Sequence, residues 1–301
     1  MKLLCFNDNR MGVLKGDNVV DVSGALSHFG IKPLEQQVEE VIDGFGSYKT
    51  KFEEIVARES GTPVGSVNLL PPIPRPQKVI AAFVNYKDRP DRQNIPAEFF
   101  YKSPSGIVGP GGTIELPDIP EVVVFQAEAE ISFVMGKRCR NVSEAEAMDY
   151  VFGYMPSFDV SARGTFRRTQ FIGKGQDTFM PIGPYLVSKD EVPDPHNLRV
   201  QSWLNGETRQ DYNTSYMMHY IPAQVAWLSK YLTLEPGDII PTGTFHEGLK
   251  PVNGGDTLEI EIEKLGRLKV NLTAKGAPKH EEWTPGVNQP KQPEGSPWTP
   301  I

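Results

Sequence analysis

The chain has 301 residues, of which 39% are hydrophobic and 23% charged, a balance typical of a soluble globular protein with one large or two modest domains. Its 31 Lys and Arg residues against 38 Asp and Glu residues give a formal charge of −7 without a basic block, which argues against a nucleic-acid partner. No apolar run reaches the ~18 residues of a membrane span, and two cysteines make no disulfide framework, so we predict a cytoplasmic protein.

The first seventy residues predict a small β-rich domain. Short apolar segments at 3–6, 12–14 and 19–22, separated by polar turns, are typical of a β-meander. Helical spacing follows at 34–42 and 48–57. The proline-rich run at 71–76 disfavours both helix and sheet, so we predict an N-terminal domain at 1–70 and a linker at 71–77.

The second predicted domain, residues 78–275, opens with a strand at 78–84 and a polar loop at 85–96. This loop is rich in charged side chains, among them Lys87, Arg89 and Arg92. Because long polar loops beside a pocket often close over it, we expect this loop to act as a lid.

Two glutamates stand two residues apart in a strand-forming segment. Because side chains on a strand alternate between faces, Glu128 and Glu130 project from the same face, with α-carbons roughly 6.6 Å apart. Apolar neighbours predict burial, where two unpaired anions repel each other unless a divalent cation joins them. Carboxylate oxygens suit Mg²⁺, Mn²⁺ or Ca²⁺, and Asp159 could supply a third oxygen from the apolar segment 151–160. The alternative is an edge strand with two solvated glutamates.

Two further helices are predicted from their end signals. Ser143 and Glu146 form a capping-box pattern, and Gly153 is a suitable helix end, which predicts a helix between the two carboxylate segments. Pro222 favours the first turn of another helix, with apolar residues on one face after it.

Two hairpins and an irregular tail complete the predicted elements. A strand at 198–204 ends at Asn205-Gly206, a strong hairpin turn, and the alternating segments 258–262 and 268–272 face each other across Gly266. The proline-rich tail, 276–301, holds Trp283 and Trp298, so we expect it to lie against the body or a neighbouring subunit.

Several short motifs occur in a fixed order along the second domain. They are Val84-Asn-Tyr86, Phe100-Tyr-Lys-Ser-Pro104, Glu128-Ala-Glu130, Asp159-Val-Ser-Ala-Arg163, Lys174 with Asp177-Thr178, Leu204-Asn-Gly-Glu207, Asn213-Thr-Ser215, the segment 234–240 and Thr242-Gly-Thr244. As an ordered set, these motifs resemble the fumarylacetoacetate hydrolase family over about residues 78–272. The N-terminal meander resembles the small leading domain that many members carry.

The resemblance implies a mixed α+β, predominantly β fold of rolled sheets, assembly as a homodimer, and a Mg²⁺ or Mn²⁺ ion used on 2-oxo acids or 1,3-diketones. Matched by motif, Glu128, Glu130 and Asp159 correspond to the metal ligands. Lys174 and Thr178 correspond to groups beside the metal, and Lys174 is expected to be a catalytic residue. The substrate-side positions carried over in the same way are Arg163, Thr244, Tyr86 and Lys102.

The implied chemistry suits these residue types. A 2-oxo acid or 1,3-diketone can chelate the ion through two oxygens, and the ion then stabilises the enolate that forms as a C–C bond breaks. Lys174 can offset the oxyanion charge, and Arg163 can fork onto a substrate carboxylate. The alternatives are a surface lysine at 174 and, for Arg163, a structural ion pair with Asp159 or Glu128.

The lid departs from the family pattern. Many members carry Asn-Tyr-x-x-His there, and that histidine, with a nearby glutamate, activates the attacking water. Here Arg89 and Arg92 stand at those places, and an arginine stays protonated and cannot act as a general base. His246, shortly after the Thr242-Gly-Thr244 motif, is the histidine that we expect near the metal, with a surface turn as the alternative.

Three functions are compatible with these features. The first is metal-dependent hydrolysis of a C–C bond in an acylpyruvate or similar diketo acid. The second is a lyase or isomerase reaction, such as decarboxylation, dehydration or enol–keto tautomerisation, which needs no hydrolytic water and fits the missing lid histidine. The third is a non-catalytic metal- and ligand-binding protein. The expected ligand is a small anionic 2-oxo or diketo acid, which Arg89 or Arg92 meets when the lid closes.

Overall fold

The computed structural model describes residues 1–87, 93–120, 122–164 and 170–276. The chain begins with the predicted meander of β1 (Lys2–Phe6), β2 (Arg10–Lys15) and β3 (Asn18–Asp21). Helices α1 (Leu34–Asp43) and α2 (Phe45–Arg58) follow, and their apolar faces share one core with the meander. No helix in the described ranges has the length and apolar character needed to span a bilayer.

The remaining elements are mostly short strands. In chain order they are β4 (Thr62–Pro63), β5 (Leu69–Leu70), β6 (Val79–Phe83), β7 (Glu98–Lys102), β8 (Ile107–Val108), β9 (Thr113–Leu116), β10 (Val122–Met135), β11 (Val151–Gly164), α3 (Gln170–Lys174), β12 (Met180–Pro181), β13 (Leu186–Ser188), β14 (Arg199–Leu204), β15 (Glu207–Asn213), α4 (Ile221–Tyr231), β16 (Ile239–Pro241), β17 (Pro251–Val252), β18 (Thr257–Ile262) and β19 (Gly266–Ala274).

A sheet of twelve strands runs through most of the described structure. Its main path has the order β4-β3-β2-β1-β13-β11-β10-β16-β6-β7, with β5 and β17 pairing at its sides. The meander joins this sheet through β1, where Leu3 lies opposite Leu186 of β13. The division into domains at residues 71–77 and 276 stays a prediction.

A second sheet has the order β15-β14-β18-β19-β9. Both predicted hairpins lie in it, with Asn205 and Gly206 turning β14 into β15 and β18 pairing with β19 around Gly266. Both residues of the Asn-Gly turn have positive φ, which explains why this dipeptide is chosen there. Inward-facing residues of this sheet and of β10 and β11 form one large apolar core. The predicted mixed, predominantly β fold is thereby confirmed.

The helix predicted between the carboxylate segments is wrong. Ser143 and Glu146 do bond to each other, but the segment forms turns and a short 3₁₀ helix at Ala147–Tyr150. Gly153 lies inside β11 and not at a helix end. A Cβ atom at this position would come within 2.0 Å of the Val187 carbonyl oxygen of β13, so only a glycine fits there. The glycine serves the close approach of two strands.

Candidate metal centre

Two long strands bring the predicted metal ligands together. β10 and β11 run antiparallel in a register that places Glu128 directly opposite Asp159. Glu130, two residues further along β10, projects from the same face as Glu128. Each carboxylate offers one oxygen, and these three oxygens lie within 4.8 Å of one another. All three side chains are buried. We call Glu128, Glu130 and Asp159 the carboxylate triad.

Within the described ranges, three cations contact the carboxylate triad. Lys174 Nζ donates to Glu128 Oε2 at 2.8 Å and to Asp159 Oδ2 at 2.5 Å. Lys102 Nζ donates to Asp159 Oδ1 at 2.5 Å, and Arg163 Nη2 donates to Glu128 Oε1. Both lysines are buried, whereas the Arg163 side chain is 30% exposed. The formal charges of the triad and of these cations therefore cancel.

The cations also hold the surrounding backbone. Lys102 Nζ donates to the carbonyl oxygen of Lys174 at 2.7 Å, which ties the end of α3 to β7. Arg163 Nε donates to Gln126 Oε1 at 3.1 Å, so this arginine bridges two residues of β10. Arg163 thus forms the ion pair with Glu128 that was the alternative to a substrate contact. Its role toward a substrate stays a prediction.

The carboxylates of the triad differ in their electrostatics. Burial raises the pKa of Glu130 well above its ordinary value, and the charges of Asp159 and Glu128 raise it further. Burial also acts to raise the pKa of Glu128, but the charges of Lys174 and Arg163 outweigh it and hold that pKa well below its ordinary value. Glu130 is therefore the member of the triad whose ionised form an added cation would stabilise most.

The hydrogen bonds of Glu130 indicate that the triad fits a divalent ion. Glu130 Oε2 accepts from the Gly243 N–H at 2.7 Å, whereas the buried Oε1 atom has no hydrogen-bond partner among the described residues. A buried carboxylate oxygen without a partner is unfavourable, and a coordinated cation would satisfy it. The donor set consists of carboxylate oxygens alone, which suits a hard cation. Glu128, Glu130 and Asp159 are the residues that would hold the ion.

The loop that reaches Glu130 depends on a glycine. Gly243 has φ of +89°, and a Cβ atom there would lie 3.1 Å from Asn85 Cβ. Asn85 in turn holds the loop, because its Nδ2 donates to the Thr242 carbonyl oxygen at 2.9 Å. The next loop residues include His246, which is half-buried, and its charge contributes to the low pKa of Glu128. The expected position of His246 near the triad agrees with this electrostatic contact.

Three further residues predicted for the site, Thr244, Tyr86 and Thr178, each have contacts of their own outside the carboxylates of the triad. Thr244 is buried and donates at 2.7 Å to the carbonyl oxygen of Ala129, the residue between the two glutamates. Tyr86 is fully buried with its ring edge-on to Tyr212 at 5.2 Å between centroids. Thr178 Oγ1 accepts from the Glu115 N–H of β9 at 2.9 Å, and its role beside the metal stays a prediction.

Some predictions fall outside the described residues. These are the lid arginines Arg89 and Arg92 and the tail residues from 277 to 301, including Trp283 and Trp298. Their predicted roles, as an anion clamp and as a docked tail, stay predictions.

The sequence interpretation missed two residues of the site. Ser161 donates to Glu128 Oε1 at 3.2 Å, and the buried Gln210 bonds to the backbone between the two glutamates. Gln210 lies on β15 after the Asn-Gly turn and is 1% exposed. A polar residue on the inward face of a hairpin strand is the signal that could have identified it.

A predominantly β scaffold with a buried carboxylate triad and compensating cations defines the class as proteins suited to bind a divalent metal ion. Comparison with known proteins gives the family. The sequence matches the model of the fumarylacetoacetate (FAA) hydrolase C-terminal domain over residues 78–273, and the chain belongs to the fumarylacetoacetate hydrolase family. The resemblance drawn from the ordered motifs is confirmed.

Similar proteins include both isomerases and hydrolases. The mitochondrial oxaloacetate tautomerase of Xenopus laevis is 40% identical over 217 residues, which cover 67% of each chain. The maleylpyruvate hydrolase of Aquipseudomonas alcaligenes is 32% identical over 296 residues, or 90% of this chain and 99% of that one. Among solved structures, maleylpyruvate hydrolase from Sphingobium sp. SYK-6 with manganese(II) and pyruvate has a TM-score of 0.82 and 33% identity, covering 91% of this chain and 99% of that one.

Proposed function

We propose that this protein hydrolyses a C–C bond in an acylpyruvate that carries a second carboxylate, with Mn²⁺ or Mg²⁺ bound at the carboxylate triad. The observation that carries this proposal is the buried triad, in which Glu130 Oε1 lacks a hydrogen-bond partner in the part of the chain that the structure describes. The similarity to maleylpyruvate hydrolases over about nine-tenths of the chain supports this substrate class. Ca²⁺ is a further option for the ion, because it binds the same oxygen donors.

The residues around the triad supply binding and charge compensation. When bound, the divalent ion supplies a Lewis acid that stabilises negative charge on the oxygens of a 2-oxo acid. Lys174 Nζ, which contacts both Glu128 and Asp159, can move its hydrogen bonds to a developing oxyanion. Arg163 is the most exposed of the triad's cations and can share its guanidinium with a substrate carboxylate.

Hydrolysis also requires a base. Water adds to the acyl carbonyl and gives one proton to the base. The C–C bond then breaks to leave a carboxylic acid and the enolate of pyruvate. A proton returned to the enolate carbon gives pyruvate, and the acid ionises to a carboxylate. His246 is the base that we propose, since it lies within electrostatic reach of Glu128. In its neutral form, an imidazole nitrogen can accept the proton of the water. Arg89 and Arg92 cannot perform this step, because a guanidinium stays protonated.

Enol–keto tautomerisation is the second proposed reaction. It is favoured by arginines at the lid positions where many family members carry the water-activating residues. Tautomerisation needs only a proton removed from one atom of the substrate and returned at another, and no hydrolytic water takes part. The 40% identity to an oxaloacetate tautomerase supports this reading. Maleylpyruvate and oxaloacetate share a 2-oxo acid group and a distal carboxylate, so both reactions call for the same binding groups.

A substrate panel separates the two reactions. We expect the purified protein with Mn²⁺ to release pyruvate from maleylpyruvate, measured by coupling to NADH oxidation with lactate dehydrogenase. Oxaloacetate in its enol form provides the second assay, in which tautomerisation removes the enol absorbance without forming pyruvate. EDTA should abolish either activity. Absence of both activities with Mn²⁺ and with Mg²⁺ would contradict the proposed function.

The lid gives a prediction about the distal carboxylate. We expect Arg89→Ala to raise KM roughly 10- to 150-fold for a substrate with a distal carboxylate, since losing one charge-assisted contact costs about 1.5–3 kcal/mol. An acylpyruvate without that carboxylate is the control substrate, and its KM should change little. Equal losses for both substrates would mean that Arg89 serves the lid or the reaction itself and does not clamp the anion.

The remaining features of the proposal concern assembly and location. From the family resemblance, we propose that the protein forms a homodimer. From its composition, we propose that it is located in the cytoplasm.

A further inference from the structure

The strand that carries both glutamates has a gap in its backbone pairing. On the side of β10 away from β11, β17 pairs with Phe125 and Gln126, and β16 pairs with residues 132–134. Ala129, the residue between Glu128 and Glu130, lies between these two paired stretches. Backbone N–H and C=O groups inside a protein need partners, so something other than a strand must bond to Ala129.

Side chains from the second sheet fill this gap. Gln210 Oε1 accepts from the Ala129 N–H at 3.1 Å, and Tyr212 Oη donates to the Ala129 carbonyl oxygen at 2.6 Å. Thr244 Oγ1 donates to the same carbonyl oxygen at 2.7 Å. Gln210 and Tyr212 are two residues apart on β15, so they share one strand face and reach the same residue of β10.

Gln210 also reaches the loop that bears His246. Its Nε2 donates to Thr244 Oγ1 at 2.9 Å and to the Phe245 carbonyl oxygen at 2.5 Å. These partners fix the orientation of the amide, because Ala129 N–H needs an acceptor and the Phe245 carbonyl needs a donor. One buried side chain thus joins β15, the middle of the glutamate pair and the residue before His246.

We infer that Gln210, assisted by Tyr212, is a positioning residue of the metal centre. By holding the backbone of Ala129, it sets the direction in which Glu128 and Glu130 project, and by holding Phe245 it sets the position of His246. The inference rests on the proposed function, since it assumes that the triad binds a metal ion. The hydrogen bonds of the Gln210 amide include those to Ala129, Thr244 and Phe245, so its effect passes through Ala129 and the loop.

Metal affinity tests this role. Gln210→Met keeps nearly the same shape but removes every hydrogen bond of the amide. We expect the Mn²⁺ Kd, measured from the free-ion signal in electron paramagnetic resonance titrations, to rise roughly 10- to 100-fold, as for other residues that orient metal ligands. The spectrum of the bound Mn²⁺ should also change its line shape. Gln201→Met on the neighbouring strand β14 is the matched control, because Gln201 is half-buried and its amide donates to Asp211.

A second variant tests the same role without removing Gln210. Tyr212→Phe keeps the ring packing and deletes only the hydroxyl that donates to Ala129. We expect a smaller rise in the Mn²⁺ Kd, roughly 2- to 10-fold, because Thr244 still donates to that carbonyl oxygen. This variant decides the question if Gln210→Met does not fold.

The outcomes separate the two proposals. If the wild type binds Mn²⁺ and both variants bind it with unchanged Kd and line shape, the positioning role is wrong and the proposed function stands. A lower melting temperature with unchanged Mn²⁺ binding would likewise mean a structural role only. If the wild type binds no Mn²⁺, the proposed function fails and the inference fails with it.

Discussion

Glu130→Gln is expected to remove high-affinity Mn²⁺ binding and, at the same time, to stabilise the metal-free protein. The loss of affinity should exceed roughly 100-fold, since even residues that only orient a ligand contribute 10- to 100-fold. The gain in stability follows from the position of Glu130, which is buried beside two other carboxylates. One of its oxygens has no hydrogen-bond partner within the described ranges. A glutamine keeps an oxygen for the Gly243 N–H and turns its amide N–H groups toward those carboxylates.

The stability change should depend on pH in a defined direction. The folded-state pKa of Glu130 lies well above its ordinary value, so folding favours its protonated form. As the pH rises above the unfolded-state pKa of about 4.3, ionisation of Glu130 opposes folding more and more in the wild type. The melting temperature of Glu130→Gln in EDTA should therefore equal that of the wild type at low pH. It should exceed the wild-type value increasingly toward neutral pH, by about 2–4 °C for each kcal/mol.

Two melting series check this expectation. Differential scanning calorimetry in EDTA and in excess Mn²⁺ should show that the ion stabilises the wild type but not Glu130→Gln, because only an ion that binds the native state raises its stability. Glu261→Gln is the control, since Glu261 is exposed on β18 and lies outside the triad. A variant that is less stable than the wild type in EDTA at neutral pH would contradict the argument.

The triad shows which parts of the site local sequence can predict. The two-residue spacing of Glu128 and Glu130 fixes their common face, because strand periodicity is a property of the chain itself. Asp159 follows from its apolar surroundings and motif, but its place opposite Glu128 depends on the β10–β11 register, which is set by pairing across 31 residues of chain. The residues were therefore predictable, and their geometry needed the structure.

The errors have physical causes of the same kind. The Ser143-Glu146 pattern forms its local bonds, yet tertiary packing gives the following residues to a short 3₁₀ helix and to β11. Gly153 was ambiguous between a helix end and a close strand contact, and only the position of Val187 decides between them. Gln210 was missed because its partners lie on another sheet, 81 residues away at Ala129.

Balanced charge in the site leads to the second large effect. Lys174 contacts two carboxylates of the proposed metal site, Glu128 at 2.8 Å and Asp159 at 2.5 Å. A fixed cation beside the site repels an incoming divalent ion, so the protein weakens its own metal affinity by keeping this lysine. Such an arrangement is understandable if Lys174 is required for the reaction.

Lys174→Met should therefore separate binding from turnover. We expect the Mn²⁺ affinity to rise about tenfold, because a neighbouring positive charge that opposes the ion is removed. At saturating Mn²⁺ the kcat should nevertheless fall roughly 10²- to 10³-fold, the usual effect of removing a group that stabilises a developing oxyanion. The measurements are Mn²⁺ titration followed by pyruvate release at saturating metal and substrate. The control is Lys269→Met, a residue that is 60% exposed and pairs with Glu259 on the surface.

The sign of the affinity change decides between two roles for Lys174. If Lys174 only maintained the ligand geometry, its removal would let Glu128 and Asp159 move, and Mn²⁺ affinity and kcat would fall together. If it acts on the substrate, affinity and kcat change in opposite directions, and added Mn²⁺ cannot restore the rate. A variant with wild-type kcat at saturating Mn²⁺ would show that Lys174 merely balances the charge of Glu128 and Asp159 within the folded protein.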